Sequence, residues 1–155
     1  MKKLLSILVL SLLFNLSAFA EDVILECKLI NQIVTTNGET NVYSAQELNS
    51  PIDLDNVFKI NIKSKTFLSY NRSREEFQQL SRNLNNFKIY WSENEINWSF
   101  EYPILPGASN TNSLNRNTGK LVQKIFFDQT SATYKNTGIS YSASTSQCQI
   151  KEKLF

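Results

Sequence analysis

The chain has 155 residues, 16 Lys and Arg against 14 Asp and Glu, two Cys and no His. That length supports one modest core. Without histidine there is no Ser-His-Asp or Cys-His nucleophile system, no imidazole general base and no ordinary zinc site, so carboxylate chemistry is the one easy enzymatic route left.

Residues 1–20 read as a cleaved signal peptide: basic Lys2 and Lys3, an apolar run from Leu4 to Leu16, then small residues with Ala18 and Ala20 set for cleavage before Glu21. A membrane anchor is the alternative, but Asn15 interrupts the run and small residues follow it. No Cys lies near the cut to take a lipid. The expected mature protein is a single β-rich domain over 21–155, exported to the periplasm or secreted, with no membrane span. Losing Lys2 and Lys3 lowers the basic count from 16 to 14, which equals the 14 acids. A nucleic-acid partner needs a clustered basic surplus, and none remains.

Cys27 and Cys148 lie 121 positions apart in a chain addressed to an oxidising compartment, so one disulfide is expected between the first and last strands. The chain-entropy model gives such a crosslink about 4–5 kcal/mol. A redox-active pair would need a C-x-x-C spacing, which is absent.

The mature chain reads as strands and turns. Val23, Leu25, Cys27, Leu29 and Ile33 alternate with polar neighbours, and only Asn31 breaks the apolar phase. Asn37-Gly38 then makes a hairpin turn that sets Ile33 opposite Val42 and Lys28 opposite Glu47, with a return strand over 39–47. A loop holding Pro51, Asp53 and Asp55 leads to Phe58, Ile60 and Ile62 in alternation, and a turn near Ser64-Lys65 leads to a short strand over 66–70. Ser73-Arg74-Glu75-Glu76 matches a capping box, and Phe77, Leu80 and Leu84 follow at helical spacing, which predicts the one short helix over 74–83.

Phe87, Ile89 and Trp91 alternate before Glu93-Asn94, and Ile96, Trp98, Phe100 and Tyr102 alternate after it. A two-residue loop pairs Trp91 with Ile96, Ile89 with Trp98 and Phe87 with Phe100, and these apolar pairs form the heart of the expected core. From Pro103 to Asn112 no period holds, so this stretch, with Pro103, Pro106, Gly107, Asn110 and Asn112, is the candidate binding loop. Arg116–Gly119 and Lys135–Gly138 both suit turns with a left-handed Gly, and they bracket a strand that is apolar on both faces, hence central or wrapped in a barrel. The last strand changes phase between Thr145 and Ser146, which calls for a bulge near 144–147. The whole is an all-β antiparallel sandwich or closed barrel of about eight to ten strands.

The run Leu114-Asn115-Arg116-Asn117-Thr118-Gly119-Lys120-Leu121, set before a strand holding Cys148, resembles a layout of small exported bacterial proteins that share an early and a late Cys and an L/I-N-R-x-T-G-x-L turn. Asn115, Arg116, Thr118 and Gly119 carry that likeness, which implies a turn and assigns no activity. Thr137-Gly138-Ile139-Ser140-Tyr141 resembles, with Thr in place of Ser, the Ser-Gly-x-x-Tyr motif of periplasmic C-type lysozyme inhibitors. Another hairpin turn explains the same residues.

Three acidic pairs could be asked to catalyse: Asp53 with Asp55, Glu75 with Glu76, and Glu93 with Glu95. Glycosidase chemistry needs two carboxyls across a cleft, whereas these sit in turns and caps. Asp53-x-Asp55-Asn56 lacks the Gly and distal Glu of a calcium loop. The expectation is a non-enzymatic binding module for a protein or envelope ligand, with no cofactor and no metal. A structural envelope component, or a lysozyme-inhibitor-like protein, is the alternative.

Overall fold

A computed structural model of the chain describes residues 22–48, 56–81 and 84–151. The cleavage signature at Ala18, Ala20 and Glu21 and the Asp53/Asp55 pair lie outside the described residues. The elements, in chain order, are β1 (Val23–Thr36), β2 (Glu39–Ser44), β3 (Asn56–Asn61), β4 (Thr66–Asn71), β5 (Glu76–Gln79), β6 (Asn85–Trp91), β7 (Glu95–Glu101), β8 (Ala108–Asn115), β9 (Lys120–Phe127), α1 (Ala132–Thr137) and β10 (Ile139–Ile150).

Every pairing is antiparallel, and the strands form one sheet in the order β5-β4-β3-β1-β10-β9-β8-β7-β6. The sheet curls into a half-barrel with β5 and β6 as its edges. Phe67 on β4 and Trp98 on β7 show the curl directly: five strands separate them in the sheet, yet their rings lie 4.8 Å apart. Side chains rather than ladder hydrogen bonds therefore fill the space between the two arms. Phe58 stacks on Phe67 at 5.1 Å and meets Trp98 edge-on at 5.9 Å, while Trp91 meets Phe67 edge-on at 6.3 Å. Ile96, Leu114, Leu121, Cys27 and Cys148 complete the buried cluster.

β1 is long because it serves three partners. Val23–Cys27 pairs with β3, Asn31–Thr36 pairs with β2, and its other edge runs along β10. Cys27 and Cys148 stand directly opposite in the β1–β10 ladder and form the expected disulfide. Ile33 faces Val42 as the Asn37-Gly38 turn requires, but β2 ends at Ser44 and Lys28 faces Gln147 instead of Glu47. Glu47 turns back on Ser44, accepting from its amide and its hydroxyl at 2.7 Å each.

The bulge expected in the last strand lies in its neighbour. Leu29 faces Ser146 and Asn31 faces Thr145, so Ile30 is the extra residue, whereas β10 runs against β9 without a break from Tyr141 to Gln147. The phase of β1 switches at Ile30. Leu25, Cys27 and Leu29 face inward before it, Gln32 and Val34 after it, and Ile33 belongs to the outer face. A second shift, between Thr35 and Thr36, makes Ser140 an extra residue at the start of β10; from Tyr141 onward β10 keeps one phase and turns Ser142, Ser144, Ser146 and Cys148 inward.

The helix expected over 74–83 is absent from the described part of that stretch. Asn71 Oδ1 accepts from the Arg74 amide at 3.2 Å, Glu75 takes φ 53°, and the chain returns as β5 with Tyr70 opposite Phe77. Asn71 thus wins a hairpin turn before Ser73 can cap, and cross-strand pairing outweighs a local helix signal. The short helix is α1, inside a stretch expected to continue the strand of β9. Ser131 caps it, accepting from the Tyr134 amide at 3.1 Å, and Gly138 ends it in the left-handed region at φ 70°. The Lys135–Gly138 signal is therefore a helix terminus, not a hairpin turn.

The β6–β7 hairpin keeps the expected pairs Trp91/Ile96 and Ile89/Trp98. Below them the register shifts between Asn85 and Lys88, where Asn86 takes φ 51°, so Phe87 does not face Phe100 in the ladder.

Candidate functional site

Three successive rungs cross the inner face from β1 to β7. The first runs Leu29, Ser146, Leu121, Leu114, Ile96, and it is apolar apart from one buried serine. The second runs Gln32, Ser144, Gln123, Asn112, Trp98, and the third Val34, Ser142, Ile125, Asn110, Phe100. Alternation delivers polar residues to the inside here because Asn110 and Asn112 share the phase of buried Ala108 and Leu114, and Gln123 shares that of Leu121.

A cavity of about 300 Å³ opens over these polar rungs, lined by Leu29, Gln32, Asn56, Tyr102, Asn110, Gln123, Ile125, Ser142 and Ser144. Its groups hold one another in place. Gln32 Nε2 donates to Ser142 Oγ at 2.9 Å, and Asn56, reaching over from β3, donates to Gln123 Oε1 at 3.1 Å. Asn110 Nδ2 donates to the Tyr102 hydroxyl at 3.2 Å, and Asn112 Nδ2 donates to Asn110 Oδ1 and to the Trp98 carbonyl. Asn112 Oδ1, buried beside this network, accepts no hydrogen bond from the described residues. Such an orphaned acceptor costs about 1–3 kcal/mol.

Among the described residues no formal charge lines the cavity, and the one titratable side chain in that lining is Tyr102. Burial pushes that phenol above its ordinary value against the opposing bond from Asn110, so it stays neutral and protonated at physiological pH. The arrangement can donate and accept hydrogen bonds.

The candidate loop contracts to 102–107. Leu105 N–H donates to the Tyr102 carbonyl, Ala108 N–H to the Leu105 carbonyl and Asp128 N–H to the Gly107 carbonyl, which hold it as a compact turn. Pro103, Pro106 and Gly107 remain in this loop, with Ile104 84 % exposed at its tip, whereas Asn110 and Asn112 are buried strand residues. The absence of an apolar period between 108 and 112 came from amides in core phase, not from a loop. Tyr102, at the loop's base, joins Asn110 in the cavity, a role its place at the end of the β7 alternation foreshadows.

The turn motif is a clamp. Asn115 Oδ1 accepts from the amides of Asn117 and Thr118 and from the Thr118 hydroxyl, at 2.9–3.0 Å. Arg116 reaches across to the carbonyls of Ser92 and Glu93 at 3.0 and 2.7 Å, tying this turn to the β6–β7 turn. Gly119, at φ 69°, lies so close to β10 that a Cβ there would sit 2.5 Å from the Cys148 carbonyl oxygen. Each residue of the motif has a structural task at the disulfide end, away from the cavity.

Thr137-Gly138-Ile139-Ser140-Tyr141 spans the end of α1 and the start of β10. Gly138 accepts from the Asn37 amide at 2.9 Å, and Tyr141 packs on Phe126. The outer face carries a second, more open groove of about 470 Å³ between Tyr90, Ser99, Thr111 and Lys124. Among the described residues, no three His, Cys, Asp or Glu side chains gather where they could hold a metal ion. Glu75 and Glu93 are exposed in turns, and Glu76 is exposed on β5.

Fold and site together define a disulfide-tied antiparallel half-barrel with a polar cavity on its inner face. No protein-family profile matches the chain, and neither a curated protein nor a solved structure matches it.

Proposed function

We propose that the protein is an exported, non-enzymatic binding module that takes its ligand on the inner face of the half-barrel. The observation that carries this reading is the cavity lining of amides, hydroxyls and one neutral phenol, which suits recognition by hydrogen bonding. The core gains nothing from these groups. An unpartnered Asn112 Oδ1 beside them is a cost that packing alone would have removed by an apolar residue. The disulfide supports an oxidising compartment, and with the leader signature it supports export to the periplasm or beyond.

Binding is tested with the isotopically labelled oxidised protein in an unlabelled envelope extract. Amide resonances of 108–112, 121–125 and 142–144 are expected to shift or broaden. A spectrum unchanged by the extract overturns the binding reading, and changes confined to Ile104 and the outer face replace the cavity with a protein-docking surface. Export is tested by mass spectrometry, with a mature N-terminus at Glu21 and a gain of two hydrogens on reduction expected.

A further inference from the structure

We infer that the inner cavity is a saccharide site, which accepts a neutral pyranose ring against Tyr102 and hydrogen-bonds its hydroxyls through Gln32, Gln123 and Ser144. The inference rests on the binding-module reading and adds the ligand class. Three observations lead to it.

First, the lining has no charged side chain among the described residues, so an ionic ligand would lose its hydration without gaining a counter-charge from them. Second, a side-chain amide presents donors and an acceptor side by side, and a sugar hydroxyl both donates and accepts. Neighbouring hydroxyls on a ring match a set of amides and serine hydroxyls better than they match a lining of one polarity. The existing bonds fix the orientation of these groups before any ligand arrives. Gln123 Oε1 accepts from Asn56, which leaves the two donors of its Nε2, and Gln32 Nε2 gives one donor to Ser142, which leaves its second donor and its Oε1 acceptor. Third, the lining is mixed in character. Leu29 and Ile125 flank the polar rung of Gln32, Ser144 and Gln123, the Tyr102 ring adds an aromatic surface, and Phe100, edge-on to Tyr102 at 5.0 Å, braces that ring. A pyranose likewise combines an apolar C–H face with a hydroxylated rim. A peptide would instead be expected at a strand edge, where backbone groups pair, and this cavity is lined by side chains in the middle of the sheet.

The test is titration of the labelled, oxidised protein with glucose, galactose, N-acetylglucosamine, cellobiose and maltose, alongside a neutral blocked tri-alanine peptide and inorganic phosphate. At least one sugar is expected to give saturable shifts at Gln123, Ser142 and Ser144. Gln123→Leu is expected to weaken it about tenfold or more and Tyr102→Phe by less, with the thermal transition showing that both variants fold. Thr111→Ala, on the outer face, is expected to leave affinity unchanged. Shifts at the cavity from the peptide or phosphate and none from sugars would overturn the saccharide assignment and leave the binding module standing. Sugar shifts only around Tyr90 and Thr111 would overturn the cavity as the sugar site. No shift with any sugar at tens of millimolar overturns the inference, and the extract experiment then decides separately whether the protein binds anything at all.

Discussion

The first rung of the inner face and the two rungs beside it lie on the same strands, a few ångströms apart, and are built for opposite ends. Leu121 and Leu114 in the first rung are essentially without solvent contact and lie in one cluster with Cys27 and Cys148. Gln123 and Asn112, one alternation further along the same two strands, present amides to the interior. Burying an apolar side chain of that size contributes about 1.5–3 kcal/mol, whereas burying a hydrogen-bonded amide contributes little net and an unpaired amide oxygen subtracts. One part of the sheet thus supplies the stability, and the adjacent part spends it on hydrogen-bonding groups aimed inward.

Variants can break that contrast. The largest effect is expected from removing the crosslink: Cys27→Ala with Cys148→Ala should lower the unfolding free energy by up to about 4–5 kcal/mol, read as a lower denaturant midpoint. Trp98→Ala, which empties the centre of the aromatic cluster, should cost about 3–5 kcal/mol, and Leu121→Ala about 2–5 kcal/mol, in the same assay. Gln123→Leu, two residues away and on the same face, should change stability by about 1 kcal/mol or less while weakening the proposed ligand binding about tenfold or more. If Gln123→Leu costs as much as Leu121→Ala, the amides are a structural network and the contrast fails.

A smaller pair of variants tests the clamp at the disulfide end. Gly119→Ala should cost more than the roughly 1–2 kcal/mol of left-handed strain, because its Cβ would also press on the Cys148 carbonyl. Gly38→Ala, at φ 85° with nothing within 4 Å, should cost the strain alone. Thermal melts that rank them the other way would show that the Asn115–Gly119 turn is not seated on β10.

The smallest effects are in the pH profile. Lys59 draws the Asp22 carboxyl below its ordinary value, Lys151 does the same to Glu26, and the Thr130 hydroxyl does so to Asp128. A lowered pKa stabilises the fold above the ordinary carboxylate range, and that contribution is lost as pH falls through the folded-state values. Asp22 and Asp128 are exposed and Glu26 is half-buried, so the acid limb should be shallow and flattened further by salt. The Tyr102 phenol is raised by burial, so its sign is reversed. Its contribution is complete below the ordinary tyrosine value of about 10 and is lost as pH rises from there through the folded-state value. Tyr102→Phe should remove that part of the alkaline limb, measured as stability between neutral pH and the onset of the transition.

Much of the fold was legible locally. The Trp91/Ile96 and Ile89/Trp98 pairs follow from strict alternation around a two-residue loop, and the left-handed glycines at 38, 119 and 138 follow from turn chemistry. The site was half legible. Asn110 and Asn112 stood out, but as loop residues, since amides in core phase look like a break in the pattern. Gln32, Gln123 and Ser144 carried no local signal, because polar residues in a strand ordinarily face solvent.

The sequence by itself determined the antiparallel β class, the cysteine pair and the turns at Asn37-Gly38, Glu93-Asn94 and Arg116–Gly119, because each depends on neighbours in the chain or on one long-range bond between two cysteines. Tertiary structure decided that the described part of 74–83 forms no helix, since the pairing of Tyr70 with Phe77, with Asn71 holding the turn, overrode a sound capping box. It also decided which face each polar residue took. One extra residue at Ile30 switches the phase of β1, and the curl of the sheet brings Asn56 from β3 to Gln123 on β9. Both are properties of strands meeting across the sheet, so no local pattern records them.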